Sequence, residues 1–314
     1  MRSPVAFRWV ALVFSVVFAV GVVVALLLHR TYVAAERVAA RHVPADAAAV
    51  LRLDLEKVVL FAPVRQSLMP LLDELDVPEG KKLGPRWRRL ASRSELVLGR
   101  DTREAVFLWG QRQGDWAVVL GGNFPDRVLA PLQQLFQEEG KPWPFEQGHL
   151  RSPEGLALGQ AADRALILAS DAARLGTVLP ATDVHDRLGI PLRGALSFAA
   201  NPRQMGFLWS VLSPLGPVEH LTARADWGSP LVVEIELTFS ATPAPGSVVR
   251  ARAILTELEG QDEAARLGRE VGSPKIELKD QTMQIETRWD HIALERLAER
   301  IARHIAPAGA VTGG

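Results

Sequence analysis

Cysteine is absent from this sequence of 314 residues, and its absence removes several classes of function. Without cysteine there can be no disulfide, no thiolate zinc site and no cysteine nucleophile. An excess of charge of one sign is missing too, since 36 Lys and Arg balance 36 Asp and Glu to a formal net charge of zero. A balanced chain has no overall attraction for nucleic acid, so we expect no nucleic-acid partner.

Motifs for catalysis and cofactor binding are also lacking. The segment Gly121–Asp126 lies between a predicted strand and a predicted helix, but it has no phosphate-loop lysine and no dinucleotide fingerprint. No two histidines are spaced i, i+4, and no nucleophile elbow or Ser-x-x-Lys motif occurs. The sequence Asp183–Asp186 places two carboxylates around His185, which could bind a metal, although a solvated linker is the simpler interpretation. We therefore expect no catalytic, cofactor-binding or metal-binding residues, and no cofactor.

A long apolar run lies near the N-terminus, from Trp9 to Leu28. Its 20 residues include one serine and no charge. A helix of this length measures about 30 Å, which matches the hydrocarbon core of a bilayer. A cleaved signal peptide usually has an apolar core of about 7–15 residues, so the run favours an uncleaved transmembrane anchor. Small-residue sequences at 33–35 and 38–40 keep the cleaved alternative open.

The expected location follows from this anchor. Arginine outnumbers lysine 30 to 6, which we interpret as the codon bias of a GC-rich bacterial genome. The charges flanking the run do not decide its orientation. The short tail before it and the large domain after it favour an N-in orientation. We expect a single-pass protein that is integral to the bacterial inner membrane, with its C-terminal domain in the periplasm.

The remainder of the chain predicts an α+β fold with mainly antiparallel sheets. Residues 1–42 would form the cytoplasmic tail, the transmembrane helix (9–28) and a stalk, and residues 307–314 a flexible tail. Residues 43–180 and 191–306 have the same predicted element order: strand, helix, hairpin, helix, hairpin, helix. Leu51, Leu53 and Leu55 alternate with charged residues in the first strand. The shared order predicts two tandem, similar units produced by internal duplication.

Local signals place several elements within these units. The Gly114-Asp115 pair predicts a hairpin turn, and Asp171 predicts the N-cap of a helix. Alternation over 231–239 predicts a strand. Helices are expected from Pro125 to Glu139, over 204–215, around 87–98 and over 291–305.

One basic cluster is the candidate contact for an anionic surface. It surrounds a tryptophan close to the predicted membrane, where it could meet lipid head groups. The alternative is a solvated helix face with the tryptophan packed inward. The cluster consists of Lys81, Lys82, Arg86, Trp87, Arg88, Arg89 and Arg93.

The other tryptophans divide into two predicted groups. Trp143, between two prolines, is the candidate for an exposed contact. Five tryptophans on or beside predicted strands and helices are expected in the core. They are Trp109, Trp116, Trp209, Trp227 and Trp289.

The start of the predicted ectodomain has a recognisable pattern. Pro44-Ala45-Asp46 is followed by the apolar strand AAVLRLDL, which carries Arg52 and Asp54. Behind a membrane anchor, this arrangement resembles uncharacterised bacterial membrane-anchored envelope proteins, whose ectodomains open with such a turn and a strand–helix unit. The resemblance implies a periplasmic α+β domain, but no activity and no catalytic residues.

Together these observations favour a binding role, as an envelope scaffold or accessory subunit whose partners are other envelope proteins. One alternative is an envelope enzyme of hydrolase type, which would show a deep pocket with clustered carboxylates and histidines. The other is a lipid- or polysaccharide-recognition domain that uses the basic cluster.

Overall fold

The computed structural model describes residues 39–60, 76–77, 81–82, 101–181, 188–226, 231–260 and 274–289. The predicted transmembrane helix (9–28), the helix around 87–98, the last helix (291–305) and the C-terminal tail lie outside these residues. Within the described residues, no helix has the length and apolarity needed to cross a bilayer.

The strands and helices have the following bounds. The strands are β1 (Ala49–Asp54), β2 (Asp76–Val77), β3 (Lys81–Lys82), β4 (Thr102–Trp109), β5 (Trp116–Gly122), β6 (Phe145–Glu146), β7 (His149–Arg151), β8 (Ala157–Gln160), β9 (Leu166–Ala169), β10 (Leu196–Ala200), β11 (Val218–Asp226), β12 (Leu231–Phe239), β13 (Lys275–Lys279) and β14 (Thr282–Trp289). The α-helices are α1 (Leu55–Leu60), α2 (Leu129–Glu138), α3 (Ala172–Val178), α4 (Gly206–Leu212) and α5 (Ser247–Gly260). Short 3-10 helices span Ala39–His42, Pro202–Gln204 and Ser213–Leu215.

Twelve of these strands form one antiparallel sheet, so the predicted mixed fold with a mainly antiparallel sheet is confirmed. The strand order is β13-β14-β12-β11-β10-β1-β4-β5-β9-β8-β7-β6. The first strands of the two predicted units, β1 and β10, pair in the middle of the sheet. Outward from this pair the order is β4, β5, β9, β8 on one side and β11, β12, β14, β13 on the other.

Local sequence signals account for several elements. The turn between β4 and β5 contains Gly114 at φ 83°, a conformation that glycine adopts without the penalty of a side chain. Asp171 caps α3, because its side-chain Oδ1 accepts a hydrogen bond from the Arg174 backbone N–H at 2.7 Å. Both the hairpin and the cap are where the sequence predicts them.

Two predicted helices have different bounds in the structure. The helix expected from Pro125 begins at Leu129, because residues from Asn123 to Val128 form a turn after β5. The helix expected over 204–215 is α only from Gly206 to Leu212. It continues as a 3-10 turn that contains Pro214, since proline cannot donate the backbone hydrogen bond that would extend an α-helix.

The two faces of the sheet differ in what covers them. We call the face that carries Val50, Arg52 and Arg224 face 1, and the opposite face face 2. Face 2 is covered by α2 in the first half of the chain and by α4 and α5 in the second. Face 1 of the first half packs against residues 39–47, which we call the chain start because they are the first of the described domain, and against α3. That core includes Ala39, Val43, Val50, Val106, Val119, Ile167, Leu175 and Val178.

Candidate functional site

Only the beginning of the predicted basic cluster is described by the structure. Lys81 and Lys82 form β3, which pairs with Asp76 and Val77 of β2 as a separate two-stranded sheet. The other members (Arg86, Trp87, Arg88, Arg89 and Arg93) lie outside the described residues. The anionic-surface contact therefore stays a prediction.

Gly121 and Gly122 have a packing explanation. A Cβ on Gly122 would lie 1.9 Å from the Asp101 carbonyl oxygen, and one on Gly121 would lie 2.9 Å from the Ala39 backbone nitrogen. Close approach of the backbone thus explains both glycines without a bound phosphate. The sequence Asp183–Asp186 lies outside the described part of the chain. Within that part, no group of three or more His, Asp or Glu side chains is placed to hold a metal ion.

A row of six polar residues runs across face 1. The antiparallel register places its members opposite one another on successive strands, from the centre of the sheet to one edge. In order they are Arg52, Ser197, Arg224, Glu234, Glu286 and Lys275. We call this set the polar row; it begins in the buried centre and ends in an open groove.

The buried end of the polar row is an ion pair. The Arg52 Nε donates a hydrogen bond to Glu104 Oε1, and both side chains are only 1% exposed. Glu104 Oε2 also accepts the backbone N–H of Ala39 at 3.1 Å. The carboxylate therefore connects the centre of the sheet to the chain start. Arg52 Nη1 has no hydrogen-bond partner within the described residues, although it is buried.

Two further charged contacts hold the chain start. His42 is buried, with Nδ1 lying 2.8 Å from the Val178 carbonyl oxygen and Nε2 lying 3.1 Å from the Asp163 carboxylate. The Arg174 Nη1 donates to Asp46 at 3.1 Å, and its Nε lies 3.0 Å from Asp115 Oδ1. These contacts join the chain start to α3 and to the turn between β8 and β9, and they join α3 to the turn between β4 and β5.

The exposed end of the polar row lies in a groove of about 460 Å³. The groove is lined by β11, β12, β13 and β14, together with Pro191. The Arg224 Nη2 lies 2.6 Å from Glu234 Oε2, and these two side chains are 39% and 46% exposed. Two residues further along β12, Glu236 lies opposite Gln284 of β14, and Gln284 Nε2 donates to Glu236 Oε2 at 3.3 Å.

Charged groups in the groove interact with one another. A hydrogen bond from Lys275 is the main cause that lowers the pKa of Glu277, and the same bond raises the pKa of Lys275. The lining carries four glutamates (234, 236, 277 and 286) and two cations, Arg224 and Lys275. Such a surface suits hydroxyl-rich or cationic ligands.

Neither the polar row nor the groove was anticipated from the sequence. The alternation of Glu234 and Glu236 with apolar residues in β12 shows that one face is polar. The strand order and register that bring Arg224, Lys275 and Glu286 beside them depend on long-range pairing.

Comparisons with known proteins place few constraints on this chain. No protein-family model matches it, and no curated protein matches it. Three crystal structures of TP0453 are distantly similar. Crystal form I has a TM-score of 0.48 at 12% identity, covering 85% of this chain and 98% of TP0453. Forms III and IV each have a TM-score of 0.49 at 11% identity, covering 84% and 87% of this chain and 97% and 99% of TP0453. With TM-scores below 0.5, we transfer no property of TP0453 to this chain.

Proposed function

We propose that this protein is a single-pass, membrane-anchored domain of the bacterial envelope that acts by binding, as a scaffold or accessory subunit. The observation that carries the proposal is the junction between the apolar run and the folded domain. Ala39 and His42 are 0% and 1% exposed, so the domain core begins about ten residues after Leu28. The Ala39 backbone N–H donates a hydrogen bond to Glu104 of β4, which attaches the chain start to the sheet. A bilayer span at 9–28 would therefore be joined to the domain through about ten residues.

The internal duplication belongs to the same proposal. Its support is the strand order, which repeats outward from the central β1–β10 pair. In each half a long helix, α2 or α5, precedes the outer hairpin in sequence. Among the residues that the structure describes, the first half carries an additional β6–β7 hairpin and the second half does not. Duplication followed by divergence would leave related connectivity with different surfaces on the two halves.

We assign the binding role to the groove on β11–β14. Its side chains belong to four neighbouring strands, which supply a rigid platform. A partner with hydroxyl or amine groups could replace the water around Glu234 and Glu236. Covering these carboxylates costs desolvation, so the partner must offset that cost with hydrogen-bond donors or positive charge.

The absence of native cysteine gives a direct test of the topology. We would introduce Ser3→Cys or Gln281→Cys into the full chain and treat intact spheroplasts with a membrane-impermeant maleimide. The proposal expects Gln281→Cys to react and Ser3→Cys to react only after permeabilisation. The reverse pattern, or release of the protein by alkaline carbonate, would contradict the proposed anchor and its orientation.

The binding role is tested by crosslinked co-purification from native membranes. A partner that uses the groove should be recovered with the full chain and lost with Glu234→Lys/Glu236→Lys. The matched control is Glu154→Lys, a charge reversal at an exposed site in the first half. Equal recovery with both variants would remove the groove from the proposal.

A further inference from the structure

One buried histidine holds the chain start through both of its ring nitrogens. The Nδ1 of His42 lies 2.8 Å from the carbonyl oxygen of Val178, the last residue of α3. Its Nε2 lies 3.1 Å from each carboxylate oxygen of Asp163, in the turn between β8 and β9. The side chain of His42 is 0% exposed and that of Asp163 is 21% exposed. The ring is therefore fixed between a helix and a turn, and its ion pair extends from the interior to the surface.

The turn between β8 and β9 holds the Asp163 carboxylate in position. The Ala161 N–H donates to the Ala165 carbonyl oxygen and the Arg164 N–H donates to the Ala161 carbonyl oxygen, both at 2.9 Å. The Ala165 N–H donates to Asp163 Oδ1 at 3.3 Å. The carboxylate is thus oriented by its own turn, independently of His42.

Both partners of the His42 ring are hydrogen-bond acceptors. A carbonyl oxygen and an ionised carboxylate can accept hydrogen bonds but cannot donate them. A neutral imidazole has one N–H, whereas the imidazolium ion has two. Because Nδ1 and Nε2 of His42 each face an acceptor, the geometry requires the imidazolium form. Its Nε2–H then makes a charge-assisted hydrogen bond to Asp163.

Charged side chains on the other elements beside the chain start are engaged in contacts of their own. They are Glu104 of β4 with Arg52, Arg174 of α3 with Asp46 and Asp115, Asp171 with the Arg174 N–H, and Arg164 of the β8–β9 turn with Asp126. Arg41 and Asp101 complete the set of charged residues beside the described chain start, and β5 carries none. Asp163 is therefore the carboxylate that responds to the charge of His42.

We propose that His42 is a pH-sensitive clamp on the chain start. Histidine ordinarily titrates near neutral pH, and loss of one proton leaves this ring with a single N–H for two acceptors. One of its two contacts is then lost, which weakens the attachment of the chain start to α3 or to the β8–β9 turn. The stability supplied by the imidazolium is present at mildly acidic pH, where carboxylates are ionised, and is lost as the pH rises through neutrality.

The clamp lies between the proposed anchor and the folded domain. Detachment of the nine residues 39–47 would add up to about 30 Å to the ten-residue link after Leu28. The charge of His42 would then influence how far the domain and its groove extend from the bilayer. This consequence rests on the proposed anchor, whereas the clamp itself does not.

The first test measures the charge of His42 in the full chain in mild detergent. A ¹⁵N NMR titration of the histidine ring nitrogens distinguishes a ring with two N–H groups from a ring with one. The signals of His42 are assigned by their absence from His42→Gln. We expect two N–H groups at about pH 6 and one at about pH 9. A neutral ring at the lower pH, or a ring still charged at the higher pH, would overturn the proposal.

Hydrogen exchange of the chain start measures the clamp. The full chain and His42→Gln are compared at the same pH, so that the intrinsic pH dependence of amide exchange cancels. A closed state that binds one additional proton opens up to about tenfold more readily per pH unit. We expect the extra protection of residues 39–47 in the unmodified chain to fall roughly tenfold between about pH 6 and pH 8. The control His149→Gln removes another buried histidine, in β7, and should keep this pH dependence.

Asp163→Asn separates the charge of the partner from its shape. Asparagine keeps an acceptor oxygen but lacks the negative charge that favours the imidazolium ion, so protection should be lost at a lower pH. An unchanged pH dependence in His42→Gln would assign the effect to another group and reject the clamp. Carbonate extraction tests the anchor separately, since release of the chain would contradict the anchor and leave the result for the clamp unaffected.

Discussion

Two arginine–glutamate pairs on face 1 differ in almost everything except chemistry. Arg52–Glu104 joins β1 to β4, and Arg224–Glu234 joins β11 to β12. The two pairs are close in the sheet, since β10 alone lies between β1 and β11. The first pair is 1% exposed at both side chains, whereas the second is 39% and 46% exposed. The two pairs therefore consist of the same residue types in environments that differ in exposure to water.

The cover over face 1 produces this difference. The chain start and α3 exclude water from the first half, so Arg52 and Glu104 depend on each other and on the Ala39 N–H. Removing one member of a buried pair leaves an uncompensated charge, which is strongly destabilising. Arg224 and Glu234 remain largely hydrated, and exposed pairs contribute little. Breaking the buried pair is therefore costly, whereas the exposed pair is available to a partner.

The largest expected effect comes from breaking the buried pair. Glu104→Gln should lower the free energy of unfolding by about 3–5 kcal/mol, because Arg52 stays buried without the carboxylate that pairs with it. Urea unfolding of the full chain in mild detergent, followed by circular dichroism, measures the loss.

The matched variant Glu234→Gln keeps the same chemistry at the exposed pair and should cost less than about 1 kcal/mol. Replacing both buried partners, as in Arg52→Met/Glu104→Leu, should recover much of the lost stability. Equal losses for Glu104→Gln and Glu234→Gln would show that burial does not separate the two pairs.

A smaller effect is expected where a buried cation meets more exposed carboxylates. Arg174→Met keeps most of the side-chain volume but removes the hydrogen bonds to Asp46 and the ion pair with Asp115. We expect a loss of about 1.5–3 kcal/mol, since Asp46 is 56% exposed and can be hydrated after the change.

Hydrogen exchange locates the effect of Arg174→Met. Amides of the chain start and α3 should exchange faster, while those of β12 and β14 should not change. Equally faster amide exchange in both halves would contradict the expectation that Arg174 stabilises the chain start locally.

The smallest effect concerns the ionisation of Glu277 in the groove. Its lowered pKa is caused first by Lys275, and the charge of Lys279 contributes less. The ionised carboxylate therefore contributes stability above its ordinary pKa, and this contribution is lost as the pH falls through the lowered value. Lys275→Gln should raise the pKa of Glu277. The measurement is an NMR pH titration that follows the carboxyl carbon of the Glu277 side chain.

Lys279→Gln is the control for this titration and should raise the Glu277 pKa less than Lys275→Gln does. A larger rise with Lys279→Gln would show that the contacts in the groove are arranged differently in solution.

The local elements were largely predictable. The alternation in β1 and β12, the glycine of the β4–β5 turn and the cap at Asp171 each act within a few residues, so one stretch of sequence contains the signal. The helix starts at Pro125 and Gln204 were wrong, because the turn after β5 and the 3-10 segments compete with helix formation there. The polar row was not predictable, since its members come from six strands distributed over 235 positions, from Arg52 to Glu286.

The burial of single tryptophans was also not predictable from short stretches of sequence. Trp209 was expected in the core but is 36% exposed, since α4 turns Leu212 inward instead. Trp143 was the candidate exposed contact, but it is half-buried and stacks on Phe136 with ring centroids 4.6 Å apart. Both residues lie in predicted elements or turns, and their burial depends on which neighbouring element packs against them.

By itself, the sequence determined the mixed fold with a mainly antiparallel sheet, the main hairpins and the absence of thiol chemistry, because these depend on composition and short-range periodicity. Tertiary structure alone decided which Arg–Glu pair is buried, which sheet face is open and that Arg203 lies over the Trp209 ring. Those outcomes depend on strand register and on which segment covers each face. Pairing between residues far apart in the chain sets both, and no local pattern records it.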